Sequence, residues 1–399
     1  MWNGRPGGSG RRKLGRVRVT LIGPAFPWRG GIPLLVTDLA HRLAALGHDV
    51  RLRTWSEQGP ARLLPAQRYP LSAPESGVYP TEPEPLSWRN PAHWWRAGRR
   101  AAAESDLVVL TYYTTVQAPA LAAIARLSRR RAHVVVICAN AVPHEARPGD
   151  RTLTALLMRS VHAVLVHTPA ERAALAELTG RPVAVSALPP HLPTGVRRPG
   201  EVGDPPLRRL LFFGKVRHYK GVDILLRALA RLDGVQLRIV GELYQDADRL
   251  RALITELGLA DRVQLHAEYL PAEQIPRLFA EADALVLPYR TATASQLVAL
   301  AHWHGLPTVV TRVGNFPDVV TDGVDGLLCT PGDLDDLVRA LRELYRPGRL
   351  AALRAAVRPA ESELVWRDYL QTLAALAGAP ALTGSPGLAG DGRALQRHE

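Results

Sequence analysis

The sequence predicts an α/β protein of two tandem doubly wound domains, each a parallel sheet covered on both faces, the pair facing a cleft. Three observations carry this. Short β-branched runs alternate with amphipathic segments along most of the chain, which implies parallel strands buried by helices. A stretch dense in Pro and Gly, residues 189–208, divides that series in two. The length of 399 residues suits about two domains at roughly 100–200 residues each.

The first strand is "VRVTLIG" (17–23), followed after a loop by "IPLLVTDLAHRLAALG" (32–47). In that segment Ile32, Leu35, Val36, Leu39, Leu43 and Leu46 recur at i+3 and i+4, and Gly47 suits a helix C-terminus. Further strands are expected at 48–55, 105–113, 132–140, 163–168 and 182–188, with helical segments between most of them. The second series runs through strands at 208–214, 235–242, 262–270, 283–289, 307–314 and 326–331. "VDILLRALARL" and "DADRLRALITELGL" are among its helices, and "AESELVWRDYLQTLAAL" reads as a terminal helix. In such sheets ligands bind at the carboxyl ends of the strands.

Hydrophobic content of 47% supplies a core, and the formal charge of +13 invites a nucleic-acid or anionic-membrane reading. Arg5, Arg11, Arg12, Lys13, Arg16 and Arg18 concentrate much of that charge before residue 19, with no acid among them. This reads as a basic disordered arm and argues against a nucleic-acid partner. "RRKLG" lacks the apolar stretch an export signal needs, and no run reaches the roughly 18 apolar residues of a membrane span. Cys138 and Cys329 suggest no disulfide framework. The expected location is cytoplasmic, with peripheral contact at the inner membrane face open to the arm.

Three loops carry candidate chemistry. In "GPAFPWRGGIP" (23–33), Gly30 and Gly31 precede a helix, where backbone N–H groups can approach an anion, although Gly-Gly also serves as a turn device. "GKVRHYKG" (214–221) holds two of the chain's three lysines, Lys215 and Lys220, in a protein that otherwise writes positive charge as Arg. Lys is a compact cation suited to bridging phosphate oxygens, and this loop joins a strand to a helix start. The third is "PYRTATASQLVALAHWHG", whose small polar "TATAS" leads into a helix start that would make a second anion site. His302 and His304 stand at i and i+2 without a carboxylate companion, so no metal site is expected. "LSWRNPAHWWRAGRR" (86–100) sets Trp88, Trp94 and Trp95 beside arginines, either as a membrane-facing surface or as ordinary packing.

With these residues in view, residues 17–370 resemble the retaining glycosyltransferases of family 4 (group 1), which have the GT-B fold. "RGGI" is similar to the N-terminal glycine loop, "ICANAVPHE" to a subgroup stretch usually reading "CHNVLPHE", and "FFGKVRHYKG" to the diphosphate-binding stretch. "IVGELY" and "PTVVTRVGNFPDVVTDGVDGLL" resemble later signatures of the family. The resemblance implies a basic arm (1–16), a Rossmann-like acceptor domain (17–190), a linker (191–207) and a Rossmann-like nucleotide-sugar domain (208–350). A C-terminal helix (351–378) packing back on the N-terminal domain and a disordered tail (379–399) would follow.

The implied reaction moves a sugar from a UDP- or GDP-linked donor to an acceptor hydroxyl, without metal or other cofactor. Gly30, Gly31, Lys215, Lys220, Ser295, Gln296 and Leu297 would hold the donor diphosphate. Glu242, Tyr269, Leu270 and Thr293 would lie near its sugar or nucleotide, and His144 and Asn140 near the reacting carbon. Four positions depart from the family. Lys215 stands for an Arg, Ala139 for the subgroup His, and Ala292 and Leu300 for a Glu pair whose second member usually holds the ribose. Ala139, Ala292 and Leu300 motivate an alternative, a catalytically silent nucleotide-sugar-binding or partner subunit. The acceptor, whether lipid-linked, a small molecule, a glycan or a protein, is not written in the sequence.

Overall fold

The computed structural model describes residues 16–60, 78–82, 85–141, 147–192, 208–243 and 247–383. The first half contains β1 (Arg18–Ile22), α1 (Gly31–Ala45), β2 (Asp49–Arg53), α2 (Pro91–Glu104), β3 (Leu107–Tyr112) and α3 (Ala118–Ser128). It continues with β4 (His133–Cys138), α4 (Asp150–Met158), β5 (Ala163–Val166), α5 (Pro169–Ala176) and β6 (Val183–Val185). The second half begins with β7 (Arg209–Phe213), α6 (Val222–Leu229), β8 (Gln236–Val240), α7 (Ala247–Glu256), β9 (Val263–His266) and α8 (Ile275–Ala280). β10 (Ala284–Leu287), α9 (Leu297–Trp303), β11 (Thr308–Thr311), α10 (Phe316–Val319) and β12 (Gly326–Cys329) complete its sheet. α11 (Leu334–Leu344), α12 (Arg349–Ala356) and α13 (Ser362–Ala377) end the chain's helices.

Each half is a six-stranded parallel sheet, in the orders β2-β1-β3-β4-β5-β6 and β12-β11-β10-β7-β8-β9. Both orders reverse once, between β1 and β3 and between β7 and β10. At such a reversal the loops leaving the two strands diverge to opposite faces and open a crevice. The loops after β1, β7 and β10, three stretches singled out from the sequence, therefore flank the two crevices.

Strand alternation builds the N-terminal core on two faces. Val108, Leu110, Val134, Val136 and Val164 meet α2, α3 and α4, while Leu107, Val109, Val135, Ile137 and Leu165 point the other way. α1 covers part of that second face, and Trp366, Tyr369, Leu370 and Leu373 of α13 cover more of it. Arg42 of α1 locks the two helices, bonded to Glu363 at 2.6 Å with its guanidinium 4.7 Å from the Trp366 ring.

The C-terminal end differs from the sequence expectation in two places. The helix expected over 351–378 is two helices, broken around Pro359, which cannot donate a backbone hydrogen bond. Leu350 and Leu353 of α12 belong to the C-terminal core, so only α13 returns to the first sheet. Within the tail expected over 379–399, Pro380–Thr383 form a 3-10 turn that buries Leu382 in the N-terminal core, and residues 384–399 lie outside the described residues. The basic arm through residue 15, and residues 193–207 of the linker, lie outside the described residues.

The tryptophans of 86–100 divide between the two readings. Trp88 and Trp94 pack against the N-terminal core, and Trp94 Nε1 donates to the Ser87 carbonyl at 2.8 Å. Trp95 is 54% exposed. Among the described residues no helix is long and apolar enough to cross a membrane, and no group of three or more His, Cys, Asp or Glu side chains is placed to hold a metal ion.

Candidate active site

The β7 loop is shaped by contacts to its neighbours. Gly214 N donates to Val240 O at 2.9 Å and Val216 N to Glu242 O at 2.8 Å, so the loop runs beside the one after β8. His218–Lys220 make one 3-10 turn, and Gly221 takes φ 68° to start α6. A Cβ on Gly221 would overlap the Pro288 carbonyl, so this corner is pressed against the β10 loop. Arg290 then ties the loop from outside. Its backbone N–H donates to Tyr219 O at 2.7 Å, Nη1 donates to His218 O at 2.8 Å, and the guanidinium forks onto Asp223 of α6 at 2.9 and 2.7 Å.

This frame turns Lys215 toward the first domain and Lys220 inward against its own. A Cβ placed on Gly30 would stand 3.5 Å from Lys215 Nζ, and one on Gly214 would stand 3.6 Å from Lys220 Nζ. Lys220 Nζ lies 5.0 Å from the centre of the Tyr289 ring, a cation–π contact. Burial pushes Lys220 down to about 7, with the charges of Lys215 and Arg217 adding to the shift. Burial also lowers Lys215, opposed by the attraction of Glu242. Two cations crowded in a partly dry cleft are held at a cost that an anion between them would relieve.

The first domain presents Arg29, Gly30 and Gly31 at the start of α1, whose N-terminus has no side-chain cap and no acid in its first turn. Arg29 Nη2 reaches Glu242 Oε1 at 2.9 Å, and its guanidinium lies 4.6 Å from the Tyr269 ring. Glu242 and Tyr269, singled out for the donor, thus meet at one point with a residue of the opposite domain. Leu270 instead packs against the C-terminal core.

The 292–297 loop bridges the domains as well. Thr293 Oγ1 donates to Ala139 O at 3.3 Å, and Gln296 Nε2 donates to Pro189 O at 2.8 Å. A Cβ on Gly31 would stand 3.4 Å from Gln296 Oε1. Asn315 fixes the loop from below, its Oδ1 accepting from Ser295 N at 2.9 Å and its Nδ2 donating to Ser295 O at 3.2 Å. Ser295 Oγ accepts from Leu297 N at 3.3 Å. α9 is seven residues long, shorter than its apolar run suggested. Leu300 and Ala292, which replace the family's Glu pair, pack on the C-terminal core.

Asn140 adjoins Ala139 at the rim of the first sheet, and its Oδ1 is buried with no hydrogen-bond partner among the described residues. His144 lies outside the described residues. His302 and His304 are buried, with the His304 ring 5.0 Å from that of Phe279. Sequence reasoning passed over Arg29, Arg290, Asp223 and Asn315. The signal for Arg29 was its place directly before Gly30–Gly31; nothing local distinguished the other three.

Solved structures share this architecture. The sucrose-phosphate synthase of Thermosynechococcus elongatus superposes with a TM-score of 0.66 at 18% identity, over 90% of this chain and 96% of that one. Anabaena HepE, crystallised with UDP and glucose, gives 0.66 at 19% identity, over 90% and 100%. At such identity the likeness is one of fold, the GT-B arrangement of two facing α/β domains.

The family follows from sequence. Residues 30–191 match the glycosyl transferase 4-like domain, and residues 208–347 match the group 1 glycosyl transferases. The chain belongs to the group 1 glycosyltransferases. Its relatives include the D-inositol 3-phosphate glycosyltransferase 1 of Catenulispora acidiphila, 32% identical over 42% of this chain and 43% of that protein. The D-inositol 3-phosphate glycosyltransferase of Acidothermus cellulolyticus is 28% identical over 82% and 81%. The match thus spans less than half of the first relative and about four fifths of the second.

Proposed function

We propose that the cleft transfers a glycosyl group from a nucleotide-diphosphate sugar to an acceptor hydroxyl, with retention at the anomeric carbon. The observation that carries this is the pairing of Lys215 and Lys220 in the β7 loop, the first beside Gly30 of the opposite domain and both lowered by burial. A diphosphate entering there favours the ammonium form of both. As the bond from C1 to the β-phosphate oxygen breaks, charge grows on that oxygen where the lysines already point, which is electrostatic preorganisation. The acceptor oxygen bonds to C1 on the same face, its proton passes to the departing phosphate, and the nucleotide diphosphate leaves. The lysines supply the counter-charge, so the reading includes no divalent metal.

Glu242 and Tyr269 face the donor in this reading, with Arg29 holding the carboxylate. The Thr293–Ala139 and Gln296–Pro189 bonds support a closed cleft that keeps water from the donor. The acceptor enters past Asn140 from the N-terminal domain. HepE was crystallised with UDP, so UDP-glucose is the first donor to test, beside a GDP sugar.

The test is calorimetric titration of the full chain with both donors, then assay of nucleotide release with EDTA present. The expected result is binding in the micromolar-to-millimolar range, weakened at least tenfold in Lys220→Ala, since a charge-assisted bond contributes about 1.5–3 kcal/mol. No binding of either donor or free nucleotide at millimolar concentration would sink the transferase reading.

A further inference from the structure

We propose that the outer face of α2, continued by the end of α3, docks on an anionic lipid bilayer. α2 is capped by Asn90, which accepts from Ala92 N at 3.0 Å, and buries Ala97, Gly98 and Ala101. Its opposite stripe carries Trp95, Arg96, Arg99 and Arg100, all exposed. Residues i, i+1, i+4 and i+5 of a helix share one face, so these four form one strip. The Arg99 guanidinium lies 5.1 Å from the Trp95 ring, holding the indole at the surface beside cations.

The end of α3 joins the strip. Leu127 packs on Gly98 so closely that a Cβ there would come within 2.8 Å of the Leu127 side chain, and Ser128 Oγ donates to Gly98 O at 3.2 Å. Leu127 is still 36% exposed, and Arg126, Arg130 and Arg131 surround it in solvent. The strip thus presents two apolar side chains among arginines.

Most of this charge has no carboxylate beside it. No Asp or Glu occurs from residue 85 to 103 or from 107 to 144. Among the described residues, no carboxylate forms an ion pair with Arg96, Arg99, Arg126, Arg130 or Arg131. Surface arginines elsewhere do find acids, as Arg231 does with Asp335, Arg339 with Asp336 and Arg346 with Glu343. Arginines without local acids beside an exposed indole and a leucine match the headgroup layer, where Trp settles at the boundary and cations meet anionic lipid. Single-stranded nucleic acid favours a groove with several stacked aromatics, and this helix face offers one indole. On the transferase reading, such contact would bring lipid-linked hydroxyls near the acceptor side; the docking itself does not depend on that reading.

The test is co-sedimentation of the full chain with vesicles of phosphatidylcholine alone, and of equal parts phosphatidylcholine and phosphatidylglycerol. Binding is expected only to the second. The triple variant Trp95→Ala/Arg96→Glu/Arg99→Glu should lose about tenfold or more in partitioning, given the contribution each cation makes near an anionic surface. Arg130→Glu/Arg131→Glu, confined to a surface turn, should lose severalfold and guards against misfolding of the first variant. Arg231→Glu/Arg346→Glu, on the other domain, should bind as the parent does. The proposal fails if the parent ignores anionic vesicles or if both face variants bind like the parent. It also fails if a short RNA binds the parent more tightly than the vesicles do and loses that affinity in the face variants.

Discussion

Arg29 and Glu242 form an ion pair at 2.9 Å across the cleft, with side chains only 9% and 15% exposed. Tyr269 covers the guanidinium, and Glu242 also steadies the charge on Lys215. The pair therefore joins the glycine loop of one domain to the donor side of the other. Removing one partner leaves the other charge in a poorly hydrated place, and that is where the larger loss arises. Arg29→Ala should destabilise the protein by about 1–3 kcal/mol in urea unfolding, and Glu242→Gln in the same background should cost much less than it does alone. Strictly additive effects would show that the two side chains do not couple the domains.

The lysine cleft should be sensitive to pH. Lys220 is lowered to about 7, chiefly by burial, so the free protein holds it largely charged below that pH and largely neutral above. The phosphates of a nucleotide sugar bind the ammonium form. Affinity should be greatest below pH 7 and fall as pH rises, by at most about tenfold per unit for one linked proton. Burial shifts Lys215 in the same direction. The unliganded fold behaves oppositely: between about 7 and the ordinary lysine value the unfolded chain binds more protons, so Lys220 makes stability rise with pH there. Titrations with UDP-glucose from pH 6 to pH 9 would come out flat if Lys220 did not meet the phosphates.

Much of the fold was readable because parallel strands buried on both faces leave short runs such as Val134–Ile137, each ended by a turn. The lysine loop was readable for a compositional reason, since Lys stands out where other cations are Arg. The cross-cleft relationships were not. Arg29 finds Glu242 only after both sheets have formed, and Asn315 brackets Ser295 only after β10 and β11 are paired; neither has a local pattern. Trp88, Trp94 and Trp95 look alike in sequence, yet Trp88 packs on the core from the turn before α2, and helical phase separates half-buried Trp94 from exposed Trp95. The terminal helix read from "AESELVWRDYLQTLAAL" is α13, whereas the short α12 before Pro359 carried no separate signal.

Arg290 should matter for binding more than for stability. Its guanidinium donates to the His218 carbonyl of the lysine loop and forks onto Asp223, with roughly a quarter of its side chain in solvent. Arg290→Ala frees the loop without emptying the core, so unfolding should change by about 1 kcal/mol or less. Nucleotide-sugar affinity should fall about five- to tenfold, because the lysines must then be ordered at the moment of binding. Arg290→Lys should recover little, since an ammonium cannot make the paired bonds to Asp223. Full affinity in the alanine variant would show that the loop holds its shape without this clip.

Two glycines with similar backbone geometry should respond differently to alanine. Gly221 has φ 68° at the end of the lysine loop, and Gly378 has φ 59° after α13. Each substitution carries the strain of a left-handed residue, about 1 kcal/mol. At Gly378 nothing lies within 4 Å of the added Cβ, so the cost should stop there. At Gly221 the Cβ meets the Pro288 carbonyl, backbone against backbone, and relief requires the β7 and β10 loops to separate. Gly221→Ala should therefore cost about 3 kcal/mol or more and weaken nucleotide binding, while Gly378→Ala should leave binding unchanged. Urea unfolding of both, with one donor titration each, decides the matter. Equal losses at the two sites would mean that the lysine loop is not held by its contact with Pro288.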